Sequence, residues 1–156
     1  EVDKKLDLIK RFGHMGDNHY VLGINAKQDE FNAAMGNVMM GHLDVILNER
    51  RRLTELYDSL LEGKLCRPAK QKGLEYNYAY YPVVFESKKE LLAAFERLHG
   101  IDVFPRRYFY PSLNTLPYLE QAESCFVSEN ISSRIACLPL FVGLDSVMVR
   151  KICEVL

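Results

Sequence analysis

Two stretches of the chain combine residue types that could bind a charged ligand. The first is Gly23-Ile-Asn-Ala-Lys-Gln-Asp-Glu-Phe31. A glycine turn leads into a helix start here, and Asn25 with Gln28 could form a capping box. A helix N-terminus offers unpaired backbone N–H groups and the positive end of the dipole. With Asn25 and Lys27 added, the stretch makes an anion site suited to a phosphate. The same residues would serve equally as an ordinary capped helix with one surface lysine. The second stretch is Phe104-Pro-Arg-Arg-Tyr-Phe-Tyr-Pro111. Arg106 and Arg107 beside Tyr108 and Tyr110 could hold phosphate oxygens bidentately and stack on a sugar or a base. The alternative is a proline-rich loop whose rings pack on the core while both arginines stay solvated.

Other chemistries find no support. His14 and His19 stand five residues apart in a glycine-rich loop, without the further Cys, His or Asp ligands that a metal site needs. His14 reads instead as a ligand contact or a polar loop residue. His42 reads as structural, and His99 as a cation favoured at a helix C-terminus. No P-loop, dinucleotide fingerprint, H-E-x-x-H or G-x-S-x-G pattern is present. The four cysteines, at 66, 125, 137 and 153, form no C-x-x-C pair. Scattered in this way they suggest reduced thiols and a cytoplasmic location, in which the sequon at Asn130 would go unused. A formal net charge of -1 gives no case for nucleic acid or an anionic membrane as partner. The triplet Arg50-Arg51-Arg52 is followed by Glu55 and Asp58 and reads as a solvated helix face. No apolar run approaches the length of a membrane span.

These residues need a scaffold, and 156 residues with 48% hydrophobic and 26% charged side chains are enough for one folded core. Periodicity predicts a short helix over 2–12 ending at Gly13, then a loop with an extended piece at Tyr20-Val21-Leu22. Apolar residues at helical spacing from Phe31 to Leu60 predict two helices, or one bent helix, ending near Gly63. A polar connector follows, and 76–85 is rich enough in aromatic and β-branched residues to be a strand. Pro82 puts that strand at an edge or a bulge. Ser87 with Glu90 starts a helix that Gly100 closes. Ile101-Asp-Val-Phe104 is expected as a second strand. Val127, Ile131, Ile135 and Leu138 mark one face of a further helix, and a last helix covers 144–156, with Met148, Ile152 and Val155 inward. The class is α+β, a small antiparallel sheet packed with helices on one face. A helical segment, 1–63, precedes a small α+β domain, 64–156.

The order of motifs resembles a known family. Arg11-Phe-Gly-His14, followed by the run from Gly23 to Gly36, is similar to the G-x-N-x-[KR]-x-x-E-x-x-A-A-x-G pattern of DegT/StrS-type sugar aminotransferases. The likeness continues through residues 50–57, Gly100-Ile101, the run from Arg106 to Pro111, and Leu138-Pro139-Leu140. It thus spans nearly the whole chain. The resemblance implies the C-terminal domain of a fold type I transferase that depends on pyridoxal 5'-phosphate (PLP) and works as a homodimer. Such enzymes move an amino group, usually from glutamate, to a keto-sugar linked to a nucleoside diphosphate, in the biosynthesis of deoxysugars and surface polysaccharides. In the family a residue of the first motif reaches the cofactor phosphate of the partner subunit, a part that falls to Asn25 or Lys27. Substrate contacts would come from His14, Tyr20, Arg106, Arg107, Tyr108 and Tyr110.

One departure stands out. The family's Schiff-base lysine lies in an S-x-x-K motif ahead of the first motif here, and no lysine of this chain has that setting. Since a transaminase needs that lysine to hold PLP and to move the proton, the chain alone is expected to bind no cofactor and to be inactive. The absence of a starting Met suggests a fragment or a truncated product. A non-catalytic dimerisation or ligand-binding module on the family scaffold is the alternative. Phe31, Met35, Val38 and Met39 are expected to be exposed and to promote self-association.

Overall fold

A computed structural model describes residues 1–15, 18–26, 29–69, 71–116 and 123–156, with only the backbone of His19. The chain forms two compact units, Glu1–Leu43 and Asp44–Leu156.

The first unit opens with helix α1 (Val2–Ile9). It stops earlier than periodicity predicts because Phe12 and Gly13 both take left-handed backbone angles, φ 65° and 76°. Only glycine fits at the second of these. A Cβ on Gly13 would lie 1.8 Å from the Val21 carbonyl oxygen, and one on Gly23 would lie 2.2 Å from the Gly13 nitrogen. The two glycines let the returning chain lie against the end of α1. Ile24 N–H then donates to Ile9 O at 2.9 Å, and Ala26 N–H to Lys10 O at 3.1 Å. Two short strands, β1 (His14–Met15) and β2 (Asn18–His19), pair antiparallel between them. This pair replaces the extended piece expected at Tyr20. Helix α2 (Glu30–Met40) follows. Its N-cap is Asp29, whose carboxylate accepts from Asn32 N–H at 2.8 Å. Asn25 lies four residues earlier in an isolated bridge with Arg11, so it does not cap the helix.

The second unit contains the core. Helix α3 (Leu43–Leu61) runs into it and buries Leu53, Tyr57 and Leu61. The helix thus shares its core with the segment after it. Strand β3 (Tyr81–Val84) pairs antiparallel with β4 (Ile135–Leu138), Tyr81 opposite Leu138 and Val84 opposite Ile135. Single bridges extend the sheet on both sides, Cys66 to Val84 and Arg106 to Cys137. The face carrying Tyr81, Val83, Ala136 and Leu138 meets Leu91, Ala94 and Leu98 of helix α4 (Lys88–His99), and Val149, Ile152 and Cys153 of the last helix. Full burial of a Leu or Phe side chain contributes about 1.5–3 kcal/mol, so this cluster dominates stability. Pro82 is tolerated because it faces Cys137, whose N–H and C=O both bond to Arg106 on the other side.

Helix α4 has the predicted start. Ser87 Oγ accepts from Glu90 N–H at 3.1 Å, while the Glu90 carboxylate reaches back to Glu86 N–H at 3.1 Å. Two expectations fail. Residues 101–104 form a turn rather than a strand, with Asp102 at φ 58°. Helix α5 (Phe126–Arg134) ends before Ile135, and Ile135-Ala-Cys-Leu138 becomes strand β4 with all four residues buried. Helical spacing continued through that run, but four consecutive apolar residues suit a strand buried on both faces. Helix α6 (Ser146–Val155) closes the unit, turning Val149, Ile152 and Cys153 inward, with Met148 and Val155 half-buried against the core.

Candidate functional site

The expected contact residues divide between the two units. In the first, the glycine contact sets residues 24–26 along the final turn of α1, and Asn25 is exposed there. Its side chain makes no hydrogen bond among the described residues, so its amide is available to a ligand. Lys27 and the proposed capping partner Gln28 lie outside the described residues. The helix end itself is a poorer anion site than its sequence suggests. The Asp29 carboxylate already accepts from the first turn of α2, and the bonds from Asn32 hold its pKa below the ordinary value. A second negative group there would be repelled.

Arg11 is the residue the motif reasoning passed over. It is the bridge partner of Asn25 and stands 3.1 Å from Asp7, which also pairs with Lys10 at 2.9 Å. With Lys4, Phe12 and His14 it lines a cavity of about 460 Å³. His14 is half-buried, and its ring stacks on Phe12 with centroids 6.2 Å apart. Tyr20 is exposed and is tied to the same turn by its N–H, which donates to Gly13 O at 2.9 Å. Asn25, His14 and Tyr20 are therefore all positioned by the turn at Gly13. The clue to Arg11 was its place at the start of the Arg11–His14 stretch that precedes the Gly23–Gly36 motif.

In the second unit, Arg106 exchanges two backbone hydrogen bonds with Cys137, at 2.9 and 3.3 Å, and so docks the aromatic loop on the free edge of β4. Its side chain is exposed, with the guanidinium 5.8 Å from the Tyr108 ring centroid. A cleft of about 330 Å³ opens beside it, walled by Tyr80, Phe104, Tyr108, Pro139 and Phe141. Tyr80 meets Tyr108 at 5.0 Å between centroids and Phe109 at 6.2 Å. Sequence reasoning placed Tyr80 only as a strand residue. Arg107 behaves differently from its neighbour. Its Nη2 donates to Ser133 O at 3.0 Å, and its guanidinium lies 3.5 Å from the centroid of the Tyr110 ring. Cys137 lines the same cleft, but burial pushes its thiol up to about 11, so it is no nucleophile at neutral pH.

The arginine triplet of α3 is only partly solvated. Arg51 and Arg52 are exposed, whereas Arg50 is half-buried and its Nε has no partner among the described residues. His42 lies exposed in the turn between α2 and α3, and the His99 ring stacks on Phe104 at 5.0 Å. Among the described residues no group of three or more His, Cys, Asp or Glu could hold a metal ion, and no helix is long and apolar enough to cross a membrane.

Comparison with known proteins gives this arrangement a context. The chain is 33% identical to a dTDP-4-amino-4,6-dideoxy-D-glucose transaminase of Shigella dysenteriae, over 94% of its own length and 42% of that protein's. It is 27% identical to an Escherichia coli protein of the same name, over 97% of this chain and 44% of the other. The fold matches that of an aminotransferase from Streptoalloteichus hindustanus with a TM-score of 0.86 at 21% identity, covering 97% of this chain and 43% of that one. The chain thus spans less than half the length of the curated relatives it matches. The family pattern matches residues 1–156 without a gap at either end, and the chain belongs to the DegT/DnrJ/EryC1/StrS aminotransferase family.

Proposed function

We propose that this chain is the C-terminal portion of a PLP-dependent aminotransferase that acts on a nucleotide-linked keto-sugar, with glutamate as amino donor and a homodimer as working form. The observation that carries the reading is the family match over all 156 residues. The sugar-nucleotide transaminases among the relatives support the substrate class. The exposed amide of Asn25 fits a cofactor phosphate, as a neutral donor on a segment held by backbone bonds. The end of α2 does not fit that role, because Asp29 occupies it. When bound, PLP supplies the electron sink that lets the amino group move. Asn25, with Lys27 beside it in sequence, would hold the phosphate. His14, Tyr20, Arg106, Tyr108 and Tyr110 would orient the sugar nucleotide.

No S-x-x-K lysine is present in these residues. The 156-residue chain by itself is therefore expected to give no turnover, and the complete reading frame to transaminate. The test is to assay both with glutamate, PLP and a dTDP-linked 4-keto-sugar. Failure of the complete reading frame to aminate any nucleotide-linked keto-sugar would remove the proposal. In that longer protein, Asn25→Ala should weaken PLP retention by about tenfold, the scale of one lost hydrogen bond to a charged group.

A further inference from the structure

The neighbouring arginines of the aromatic loop do not share a role. Arg106 turns its charge to the cleft beside Tyr80 and Tyr108. Arg107 is engaged by the protein itself. Its Nη2 donates to Ser133 O near the end of α5, its guanidinium covers the Tyr110 ring at 3.5 Å, and its Nε is buried. A second fastening lies just beyond. Ser112 is buried, with its hydroxyl 2.7 Å from that of Ser128, and Asn114 Nδ2 donates to the Glu129 carboxylate at 2.7 Å. Both fastenings are on α5, and residues 108–110 between them are exposed. Phe109 in the middle takes a left-handed φ of 71°, a conformation that a side-chain-bearing residue keeps only when its surroundings impose it.

We propose that Arg107 is a positioning residue. It holds Tyr108 and Tyr110 in a fixed presentation towards a ligand, while Arg106 alone of the pair offers its charge to that ligand. A planar guanidinium suits this task because it can bond to a carbonyl in its plane and stack on a ring with its face. The inference rests on the aminotransferase reading only for what the ligand is; the clamp itself does not depend on it.

The experiment has two arms. In the first, the 156-residue chain is digested with chymotrypsin under native conditions, and cleavage within 105–111 is followed by mass spectrometry. Arg107→Gln should speed cutting at this loop by about tenfold, as expected for loss of a charged hydrogen bond that closes the segment, with cutting elsewhere unchanged. Arg107→Lys should not restore the native rate, and Arg106→Gln should cut like the parent chain. Equal acceleration by Arg106→Gln and Arg107→Gln, or full rescue by lysine, overturns the proposal. If Arg107→Gln fails to fold, Tyr110→Ala removes the stacked ring instead and should speed cutting at Tyr108 and Phe109; an unchanged rate overturns the clamp. In the second arm, the complete reading frame is assayed. Arg106→Gln should raise KM for the sugar nucleotide by about tenfold with kcat kept, and Arg107→Gln should lower kcat more than it changes KM. An Arg107→Gln enzyme with parental kinetics overturns the proposal. A parent enzyme without turnover removes the aminotransferase reading and leaves the first arm standing.

Discussion

The units Glu1–Leu43 and Asp44–Leu156 are ordered by different forces. The second is organised by burial, with Leu53, Tyr57, Tyr81, Val83, Leu91 and Leu98 all at zero exposure. The first has no buried residue in either of its helices, and Phe31, Val38 and Leu6 are 74%, 59% and 59% exposed. Its turn is held by backbone hydrogen bonds that two glycines make possible. Packing is therefore concentrated in one unit, while the candidate contact residues lie in both. One unit supplies most of the free energy of folding, and the other places polar groups with little packing of its own. Elements of this kind open at lower free energy than a core does.

The largest expected effect tests where stability resides. Leu91→Ala should cost about 2–5 kcal/mol in urea unfolding, as for other fully buried leucines. Leu6→Ala, which removes an equally large side chain from exposed α1, should stay within about 0.5 kcal/mol. Similar losses at both sites would break the contrast. Next in size is Gly13→Ala, which meets both a left-handed φ and the Val21 carbonyl. It should cost about 1–3 kcal/mol locally. Faster amide exchange at Tyr20, Ile24 and Ala26, with an unchanged melting transition for the second unit, is the expected result. Coupled loss of both would show that the units fold together. Ser87→Ala removes the α4 cap and should lower the stability of the second unit by about 1 kcal/mol. Capping bonds in the first unit, such as that of Asp29, should be silent in the same melting curve.

The mildest probe changes no residue. Burial holds the Cys137 and Cys153 thiols at about 11, whereas Cys66 and Cys125 are exposed. At pH 8 two thiols should react with a disulfide reagent at once and two only on unfolding. The unfolded thiol titrates near 8.5, so between there and about 11 the unfolded chain has lost protons that the folded one keeps. Stability from these two groups is complete below pH about 8.5 and falls as pH rises through that window. Four thiols reacting together at pH 8 would contradict their burial.

Legibility followed the range of the interactions. Helix α4 could be read closely because its signals are local: Ser87 and Glu90 at one end, Gly100 at the other. The stretch from Gly23 to Gly36 was legible as a family motif, yet its cap was misplaced. Both Asn25 and Asp29 are good N-cap types, and only the bridge between Arg11 and Asn25 decides between them. Strand β4 was not legible. Ile135 and Leu138 continue the spacing of the helix before them, and the choice of strand comes from pairing with β3, some fifty residues away in sequence. Arg106 and Arg107 look equivalent as neighbours, and they part only through long-range contacts: Arg106 bonds to Cys137 through its backbone and leaves its side chain exposed, whereas the Arg107 guanidinium is held by Ser133 O.

The chain itself carries the family, the α+β class, the two ends of α4 and the glycines at 13 and 23, because each depends on residue type at short separation. The tertiary structure alone assigns residues 135–138 to a strand paired with β3, Asp29 to the end of α2, Arg11 to the side of Asn25 and Arg107 to the clamp of the aromatic loop. Each of these rests on a contact between segments distant in sequence, or on a choice between two acceptable local partners. Spacing cannot rank such contacts; burial and hydrogen-bond geometry can.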